Sequence, residues 1–468
     1  MELLSRKITK PMERPVKVVQ FGEGNFLRGF VDWFIQGLNE KTDFDSSVVV
    51  VQPLPAGMCD KINECGCKYH LALRGIKDGE ATEEITEISC ISRCLNPYSE
   101  FESYLALADI PEMRFIFSNT TEAGIAFDET CKFEDKPALS YPGKLTQLLF
   151  ERYKKGLPGF IIIACELIDY NGKALLECVK KYIKLWDLPE EFEKWLDSEC
   201  VFCSSLVDRI VTGYPKENPQ EFFDKIGKVD EIFDTAEIFH FWAISGMKGY
   251  EDELPLDKLG YNVVFADDIS PYKIRKVRIL NGAHTMTVLA AYLCGIETVG
   301  EFMSDPLFEK YVNEGVYNEI IPATDSLPEE ELKAFAAAVC DRFRNPFIRH
   351  RCLDISLNSV SKYKERCLPS FIDYVEKFGK LPRVLTIAFA ALIEFYKKGY
   401  AKDNPDHIEF IKTHNVVEIL ASDELWGRNM ADIPMLCETL ENYLEKGIKN
   451  LLFPMVKINE KDNVTVNF

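Results

Sequence analysis

Three side chains that could take part in reducing a ketone lie close together in the second half of the sequence: Lys276, Asn281 and His284. At about 100° per residue, an α-helix would place them within an arc of roughly 140°, so one helix could present all three to one cavity. A hydride added to a carbonyl carbon needs a proton donor at the new alkoxide. A lysine can serve if desolvation or nearby cations lower its pKa, and Arg275 and Arg278 are candidate cations.

The asparagine and the histidine suit the same reaction. An amide can donate a hydrogen bond to a developing oxyanion, and an imidazole can hold a neighbouring hydroxyl. The spacing alone is more typical of a solvated basic helix face, with His284 packed in the core. Both interpretations therefore stay open at the level of residue spacing.

A glycine turn near the N-terminus is the second chemically suggestive feature. The β-rich run Val16–Phe21 leads into Gly22-Glu23-Gly24-Asn25, and a helical pattern begins at Phe26. Glycines let the backbone approach a pyrophosphate, which a helix N-terminus attracts. Leu27 replaces the third glycine of the usual dinucleotide fingerprint, and Gln52 stands where an acidic residue normally follows the second strand. A plain strand–helix turn and a methyltransferase loop remain alternatives.

A basic segment is the third feature, in a chain that is otherwise acidic. Arg344, Arg349 and Arg351 lie within eight residues of one another, and Lys362 follows. Such a concentration suits a carboxylate or phosphate site. A surface patch explains the composition equally well.

Alternating strands and helices in the first half must position the glycine turn. Runs at 16–21, 48–51, 114–118 and 159–165 are rich in apolar residues, which is typical of parallel strands covered on both faces. A helical pattern extends from Phe26 to about Asn39. Strand–helix alternation predicts right-handed βαβ units in a doubly wound parallel sheet.

Long helical periods dominate after about residue 270 and must carry Lys276, Asn281 and His284. They are predicted at 273–293, 329–344, 370–378, 382–398 and 435–449. We therefore predict an α/β chain with a sheet domain at 1–268 and a mostly α-helical domain at 269–468. The boundary is expected within 259–271, where Gly260 and Ser270-Pro271 interrupt the pattern.

Length and charge limit the class of protein. A chain of 468 residues exceeds what one hydrophobic core of roughly 250–300 residues supports, in agreement with two domains. The net charge of −20 argues against a nucleic-acid partner, because phosphate binding needs a basic stripe. The sequence has no run of about 18 apolar residues and no apolar segment near its start. We therefore expect a cytoplasmic protein with no membrane partner.

The fifteen cysteines are scattered and do not follow the spacing of a disulfide-stapled domain. Most are expected to be buried, reduced thiols. Cys200 and Cys203 form a Cys-x-x-Cys pair, but one such pair makes only half a zinc site. No metal is expected.

Together these segments resemble the polyol-specific long-chain dehydrogenase family, typified by mannitol dehydrogenases. The resemblance covers nearly the whole chain. It rests on the Gly-x-Gly-Asn-Phe-x-Arg turn at 22–28, the segment 205–210, and Lys276-x-Arg278-x-Leu280-Asn281-Gly282-x-His284. It implies an N-terminal Rossmann-type domain, a helical C-terminal domain and no catalytic metal. In that family the lysine is the general acid/base, and the asparagine and histidine hold the reacting oxygen and a hydroxyl.

Within the family, the chain resembles the branch that reduces keto-hexuronates. The turn at 22–28, the segment Cys165-Glu166-Leu167-Ile168-Asp169, and the residues 345–348 through 357–359 suggest this branch. Leu167 replaces an asparagine that mannitol dehydrogenases tend to carry there and that helps to hold the substrate oxygen. The basic residues around Arg349 fit a uronate carboxylate.

The resemblance implies a reversible, NAD-dependent reduction of a keto-hexuronate to the aldonate. Lys276 would be the general acid/base, Asn281 would stabilise charge on the oxygen, and His284 would orient a hydroxyl. NAD is inferred from the family branch, since Gln52 does not decide between NAD and NADP. The implied cofactor-binding residues are Phe21, Gly22, Glu23, Gly24, Asn25, Phe26 and Arg28, and the implied substrate-binding residues are Glu166, Arg349, Arg351 and Lys362.

Other functions remain open at this point. A fructuronate reductase, a mannitol dehydrogenase or a mannitol-1-phosphate dehydrogenase would share the same lysine chemistry. From a different class, the chain could be a catalytically silent NAD-binding sensor. The intact set of Lys276, Asn281 and His284 argues against a sensor.

Overall fold

The computed structural model describes residues 14–121 and 123–452, together with the backbone of 456–459 and 463–466. The chain divides into two compact units. The first contains the residues up to Arg74 and Thr82–Ile269, and the second contains Gly75–Ala81 and the residues from Ser270 onward.

The first unit is built on an eight-stranded sheet with the strand order β11-β10-β8-β7-β6-β1-β2-β5. Neighbours from β5 to β8 pair in parallel, β10 is antiparallel to β8, and β11 is parallel to β10. A smaller sheet has the order β4-β3-β9, and the segment Gly75–Ala81 that joins β3 to β4 belongs to the second unit. The strands β12 and β13, also of the second unit, form an antiparallel pair. The strands are β1 Val16–Phe21, β2 Ser47–Val51, β3 Tyr69–Lys77, β4 Glu80–Ile88, β5 Ile91–Leu95, β6 Phe115–Ser118, β7 Ile161–Ala164, β8 Val201–Asp208, β9 Asp234–Glu237, β10 Phe241–Ser245, β11 Val263–Ala266, β12 Val456–Asn459 and β13 Asn463–Val466.

Eight α-helices belong to the described part of the first unit. They are α1 Asn25–Gly29, α2 Val31–Lys41, α3 Cys59–Glu64, α4 Phe101–Leu105, α5 Tyr141–Lys154, α6 Asn171–Leu185, α7 Glu190–Glu199 and α8 Pro219–Ile226. Short 3₁₀ turns lie at Ala106–Asp109, Glu251–Glu253 and Leu256–Leu259.

The second unit is mostly helical from Ser270 to Leu452. Its helices are α9 Ser270–Arg275, α10 Gly282–Leu293, α11 Val299–Ser304, α12 Pro306–Asn313, α13 Glu329–Phe343, α14 Cys352–Ile355, α15 Ser359–Arg366, α16 Leu368–Phe378, α17 Arg383–Lys397, α18 Pro405–Thr413, α19 Val416–Ala421, α20 Asp423–Trp426, α21 Leu436–Lys446 and α22 Ile448–Leu452. π-Helical segments span Lys276–Asn281 and Glu314–Ile320, and a 3₁₀ turn spans Met430–Asp432.

The two faces of the large sheet carry separate hydrophobic cores. Val18, Val48 and Val50 belong to one core, while Val19 and Val49 belong to the other. Successive side chains of a strand point to opposite faces, so a run of valines supplies both layers. The predicted fold, a Rossmann-type parallel sheet followed by a helical domain, is confirmed.

The second unit packs around α17, whose residues from Val384 to Phe395 are buried except for Glu394. The first N–H groups of a helix have no partner within the helix. Here the Glu319 carboxylate accepts hydrogen bonds from the backbone N–H groups of Val384 and Leu385, at 2.7 and 2.9 Å. Burial raises the pKa of Glu319 to about 7. A buried acid therefore caps the central helix.

Several predicted elements differ from the observed ones. The helix expected at 26–39 is two helices that meet at Phe30, where φ is −130° and ψ is −75°. The helix expected at 273–293 contains the π-helical segment Lys276–Asn281. The helix expected at 435–449 breaks at Gly447, which has a φ of 74°. Among the described residues, no helix is both long enough and apolar enough to cross a membrane.

Candidate active site

The glycine turn lies at the carboxyl end of β1, where the strand order reverses between β2 and β6. Gly22 has a φ of +123°, and a Cβ there would lie 3.0 Å from Leu27 Cδ1 and 3.1 Å from the Asn119 carbonyl oxygen. Glycine is therefore required at this position. A crevice at such a reversal point is the common place for ligands in open α/β sheets.

The turn fits a dinucleotide pyrophosphate. Gly24 precedes α1, and nothing lies within 4 Å of the position that a Cβ would take there. Gly24 and Asn25 are exposed, and no side chain caps the first N–H groups of α1. Backbone donors beside open space are what an approaching pyrophosphate needs.

Arg28 and Phe21, two of the predicted cofactor-binding residues, point into the protein instead. Arg28 is 1% exposed, and its guanidinium donates to the Ile232 carbonyl oxygen at 2.6 Å and to Asn25 Oδ1 at 2.7 Å. Phe21 is buried against the ring of Tyr141. The structure gives both residues a supporting role, because neither has an atom open to a ligand.

Phe26 is half-buried, and its ring stacks on Phe30 with the ring centroids 5.2 Å apart. Glu23 is also half-buried, and its Oε1 accepts a hydrogen bond from the Met58 N–H at 3.4 Å. Burial raises the pKa of Glu23 above its usual value. Five of the seven predicted residues, from Gly22 to Phe26, therefore line or border the turn.

A disulfide ties the segment after β2 to the edge strand of the same sheet. Cys59, at the start of α3, is bonded to Cys94 in β5. The other thirteen cysteines are free, and ten of them are buried, as the sequence analysis expected for most of them. The sequence spacing did not predict the bonded pair.

Among the described residues, no group of three or more His, Cys, Asp or Glu side chains could hold a metal ion.

In the second unit, the π-helical segment changes the relation between Lys276 and Asn281. A π-helix bonds residues five apart, so these two side chains lie one turn apart on the same face. Asn281 and His284 are three residues apart at the start of α10 and are neighbours on the helix surface. All three residues are half-buried. Lys276, Asn281 and His284 therefore lie within a narrower arc of the helix surface than a regular α-helix would give them.

His284 is held between aromatic and cationic neighbours. Its ring stacks on Phe343 with the centroids 4.1 Å apart and meets the ring of His350 edge-on at 5.3 Å. Its Nε2 is buried and has no hydrogen-bond partner among the described residues. Burial, followed by the nearby charges of His350, Arg342, Arg366 and Lys362, lowers the pKa of His284 well below its usual value. The imidazole is therefore neutral at physiological pH.

Two of these cations lie on one face of α15. Lys362 and Arg366 are four residues apart and half-buried. Lys362 Nζ donates to the Ile355 carbonyl oxygen at 2.7 Å, and Arg366 Nη1 donates to Thr285 Oγ1 at 3.5 Å. Burial lowers the pKa of both groups. Desolvated cations beside an unpartnered imidazole nitrogen form a site that suits an anion.

The remaining predicted cations are placed less favourably. Arg349 and Arg351 are exposed. Arg278 forms an ion pair with Asp373 at 2.6 Å, and Arg275 lies over the ring of Phe335 at 4.4 Å. Of the two candidate cations near Lys276, Arg278 is therefore paired with an acid.

Glu166, predicted to bind substrate, belongs to the interior of the first unit. It is 2% exposed, and burial raises its pKa. Its Oε1 accepts from the Thr120 N–H and its Oε2 from Ser118 Oγ, at 3.0 and 3.1 Å. These bonds fix the segment that follows β6, so Glu166 positions the chain and is not open to a substrate.

Sequence reasoning missed Arg366 and His350 as neighbours of His284. The spacing of Lys362 and Arg366 at i and i+4 is the signal that could have revealed the first of them. His350 follows the basic residue Arg349, but only its tertiary position turns its ring toward His284.

Comparisons with known proteins place these features in a family. The description "Mannitol dehydrogenase Rossmann domain" matches residues 16–258, and "Mannitol dehydrogenase C-terminal domain" matches residues 268–447. The chain belongs to the mannitol dehydrogenase family and is an oxidoreductase that acts on CH–OH groups. The family resemblance inferred from the sequence is confirmed.

Two relatives that match nearly the whole chain are both named altronate oxidoreductase. The chain is 44% identical to an altronate oxidoreductase of Phocaeicola vulgatus, over 96% of this chain and 98% of that protein. It is also 44% identical to an altronate oxidoreductase of Shigella flexneri, over 97% and 100% of the two chains. Both alignments span nearly the whole length of both proteins.

Two solved structures share the fold. A substrate-free D-sorbitol dehydrogenase is 21% identical, with a TM-score of 0.80 over 93% of this chain and 95% of that one. The Pseudomonas fluorescens mannitol 2-dehydrogenase, in a ternary complex with NAD and D-mannitol, is 20% identical, with a TM-score of 0.67 over 97% and 96%.

Proposed function

We propose that the protein interconverts tagaturonate and altronate with NAD as its cofactor, as an altronate oxidoreductase (tagaturonate reductase). Two relatives at 44% identity over nearly the whole chain carry the name altronate oxidoreductase. The observation that carries the proposal is the pair of half-buried cations, Lys362 and Arg366, whose charges act on His284 in a protein of net charge −20.

An uncharged polyol substrate would bring no opposite charge to the desolvated groups of Lys362 and Arg366. Desolvating a charged group costs free energy unless an opposite charge or strong hydrogen bonds compensate. A uronate carboxylate supplies that opposite charge, and Lys362 and Arg366 are the half-buried donors that could bind it. Fructuronate is a keto-hexuronate of the same charge, and a phosphate ester would also be attracted. The choice among these anions rests on the named relatives.

The reaction needs a proton at the oxygen of the reacting carbon. In the reductive direction, Lys276 donates this proton from its ammonium group, and in the oxidative direction the neutral amine takes it back. Asn281, one π-turn along the same face, donates an amide hydrogen bond to the oxygen as negative charge develops. His284 is neutral, so its ring can accept from or donate to a substrate hydroxyl without adding charge.

The cofactor site lies in the first unit. NAD, when bound, supplies or accepts the hydride. The backbone N–H groups at 24–26, at the start of α1, would donate to its pyrophosphate, and Gly24 leaves room for that approach. Arg28 keeps Asn25 in place by the 2.7 Å hydrogen bond to its Oδ1.

The experiment that tests the function is NADH oxidation by the purified, EDTA-treated protein. Tagaturonate, fructuronate, fructose and fructose 6-phosphate are offered side by side. We expect turnover of tagaturonate to exceed that of the other three. A preference for fructuronate or fructose 6-phosphate would keep the lysine chemistry and overturn the substrate. NADH binding without turnover of any of them would favour a sensor.

A second measurement tests the role of Lys276. Lys276→Ala should bind NADH normally and lose nearly all turnover, because the alkoxide then has no positioned proton donor. Lys273→Ala, three residues earlier on α9, is the control and should keep most of the turnover. A Lys276→Ala variant with full turnover would refute the mechanism.

A further inference from the structure

The end of β2 lacks the acid that Rossmann domains usually place there. That acid normally accepts a hydrogen bond from the 2′-hydroxyl of the adenosine ribose. Here Gln52 follows β2, and its own loop occupies its amide. Nε2 donates to the carbonyl oxygens of Leu54 and Pro55, at 2.8 and 3.2 Å, and Oε1 accepts from the Cys59 N–H at 3.1 Å. Gln52 thus shapes the loop and is not the missing acceptor.

A carboxylate reaches the same place from the glycine turn. Glu23 Oε1 accepts from the Met58 N–H, at the far end of the loop that begins with Gln52. A Cβ built on Gly57 would overlap both Glu23 Oε1 and the Gln52 side-chain amide. The carboxylate of Glu23 and the amide of Gln52 therefore converge on Gly57. This convergence places the acid beside the end of β2 although it belongs to the turn after β1.

The surroundings favour a ribose hydroxyl over a ribose phosphate. The loop at 52–58 reads Gln-Pro-Leu-Pro-Ala-Gly-Met and contains no lysine or arginine. A 2′-phosphate would meet a carboxylate there with no cation from the loop to offset the repulsion. A carboxylate has about four acceptor positions, so the backbone N–H groups of Met58 and of Glu23 itself leave capacity for hydroxyl donors.

We propose that Glu23 replaces the acid that usually follows β2. Its carboxylate accepts hydrogen bonds from the adenosine ribose hydroxyls and repels a 2′-phosphate, so that the protein selects NAD over NADP. This inference rests on the proposed nicotinamide-dependent function. It makes Glu23 a specificity-determining residue of the cofactor site, supplied by the glycine turn itself. Gly57 is the position that must stay small for the carboxylate to reach the loop.

The test is a comparison of dinucleotide binding in the absence of any sugar. Dissociation constants of NADH and NADPH are measured by fluorescence titration for the wild type and Glu23→Gln, which keeps the shape and removes the charge. We expect the preference of the protein for NADH to fall by about tenfold or more, which is what one hydrogen bond to a charged group is worth. Glu64→Gln, an exposed carboxylate on α3, is the matched control and should keep the wild-type ratio.

The outcomes separate the two proposals. A wild type that binds neither dinucleotide would overturn both the proposed function and the assignment of Glu23. A wild type that prefers NADH, together with an unchanged ratio in Glu23→Gln, would overturn only the assignment. Gly57→Ala offers a second route if Glu23→Gln folds poorly. Its methyl group displaces the carboxylate, so it should lower the same ratio while Glu23 is retained.

Discussion

Replacing Asp32 by asparagine should make the stability of the first unit less dependent on pH. Asp32 and Asp234 are both completely buried beside Arg28, and burial raises the pKa of each to about 7. Asp32 Oδ2 accepts from the Tyr69 hydroxyl at 3.2 Å, but Oδ1 has no partner among the described residues. Asp234 lies 4.0 Å from the guanidinium of Arg28. One arginine thus faces two acids in a dry environment.

The magnitude follows from the difference in pKa between the folded and unfolded chain. An unfolded aspartate titrates near 4, so it is already ionised at about pH 5.5, where the folded carboxyl still holds its proton. The folded state then binds more protons than the unfolded state, and stability falls as the pH rises. For a folded pKa of about 7, Asp32 alone removes roughly 2 kcal/mol of unfolding free energy between about pH 5.5 and about pH 8.

The assay is urea unfolding at these two pH values, followed by tryptophan fluorescence. Four of the five tryptophans, at positions 33, 186, 195 and 242, lie in the first unit and report mainly on it. Asp32→Asn should lose about 2 kcal/mol less than the wild type on going to the higher pH. Glu112→Gln, at an exposed position, is the control and should lose as much as the wild type. A wild type whose stability is flat or rises over this range would refute the reasoning, as would an Asp32→Asn variant with the wild-type slope.

Two other predictions concern the substrate site and the disulfide. Lys362→Met should raise KM for the hexuronate by about tenfold or more with a smaller change in kcat, since a charge-assisted hydrogen bond to the carboxylate is lost. Arg349→Met, at an exposed position, should change neither constant appreciably, and an equal rise in its KM would contradict the assignment. Cys59→Ser should lower the free energy of unfolding of the oxidised protein by about 3–4 kcal/mol, because the bond joins cysteines 35 residues apart. A reductant should destabilise the wild type by the same amount and leave Cys59→Ser unchanged, whereas equal stability of the two oxidised proteins would count against the bond.

The central sheet could be predicted because the apolar composition of its strands shows that both of their faces are buried. Val48 to Val51 are all apolar, as a strand must be when both its faces are covered. The sheet of β3, β4 and β9 was not predicted. β4 reads Glu-Ala-Thr-Glu-Glu-Ile-Thr-Glu-Ile, and most of it is half-buried or exposed. Such a strand is defined by its pairing partners, which local periodicity does not reveal.

The candidate site was predicted as residue types more successfully than as geometry. The types and spacing of Lys276, Asn281 and His284 were enough to predict them as site residues. Their relative directions were not predicted, because a helical period of 3.6 does not reveal a π-helical segment. Arg28 follows a glycine turn and would suit a phosphate. In the structure it is buried and donates to the carbonyl oxygen of Ile232, which lies 204 residues further along the chain. Long-range contacts of this kind have no local signature.

Gly282 connects the π-helical segment to the cations of α15. It directly follows Asn281, and a Cβ at this position would lie 3.2 Å from the carbonyl oxygen of Arg366. The absence of a side chain therefore lets the end of α15 approach the start of α10, and the Cys367 thiol can donate to the Gly282 carbonyl oxygen at 3.6 Å. The same approach brings Arg366 to Thr285, one residue after His284. A single small residue thus serves both halves of the proposed chemistry, because it continues the helix that carries the proton donor and admits the cations that would bind the carboxylate.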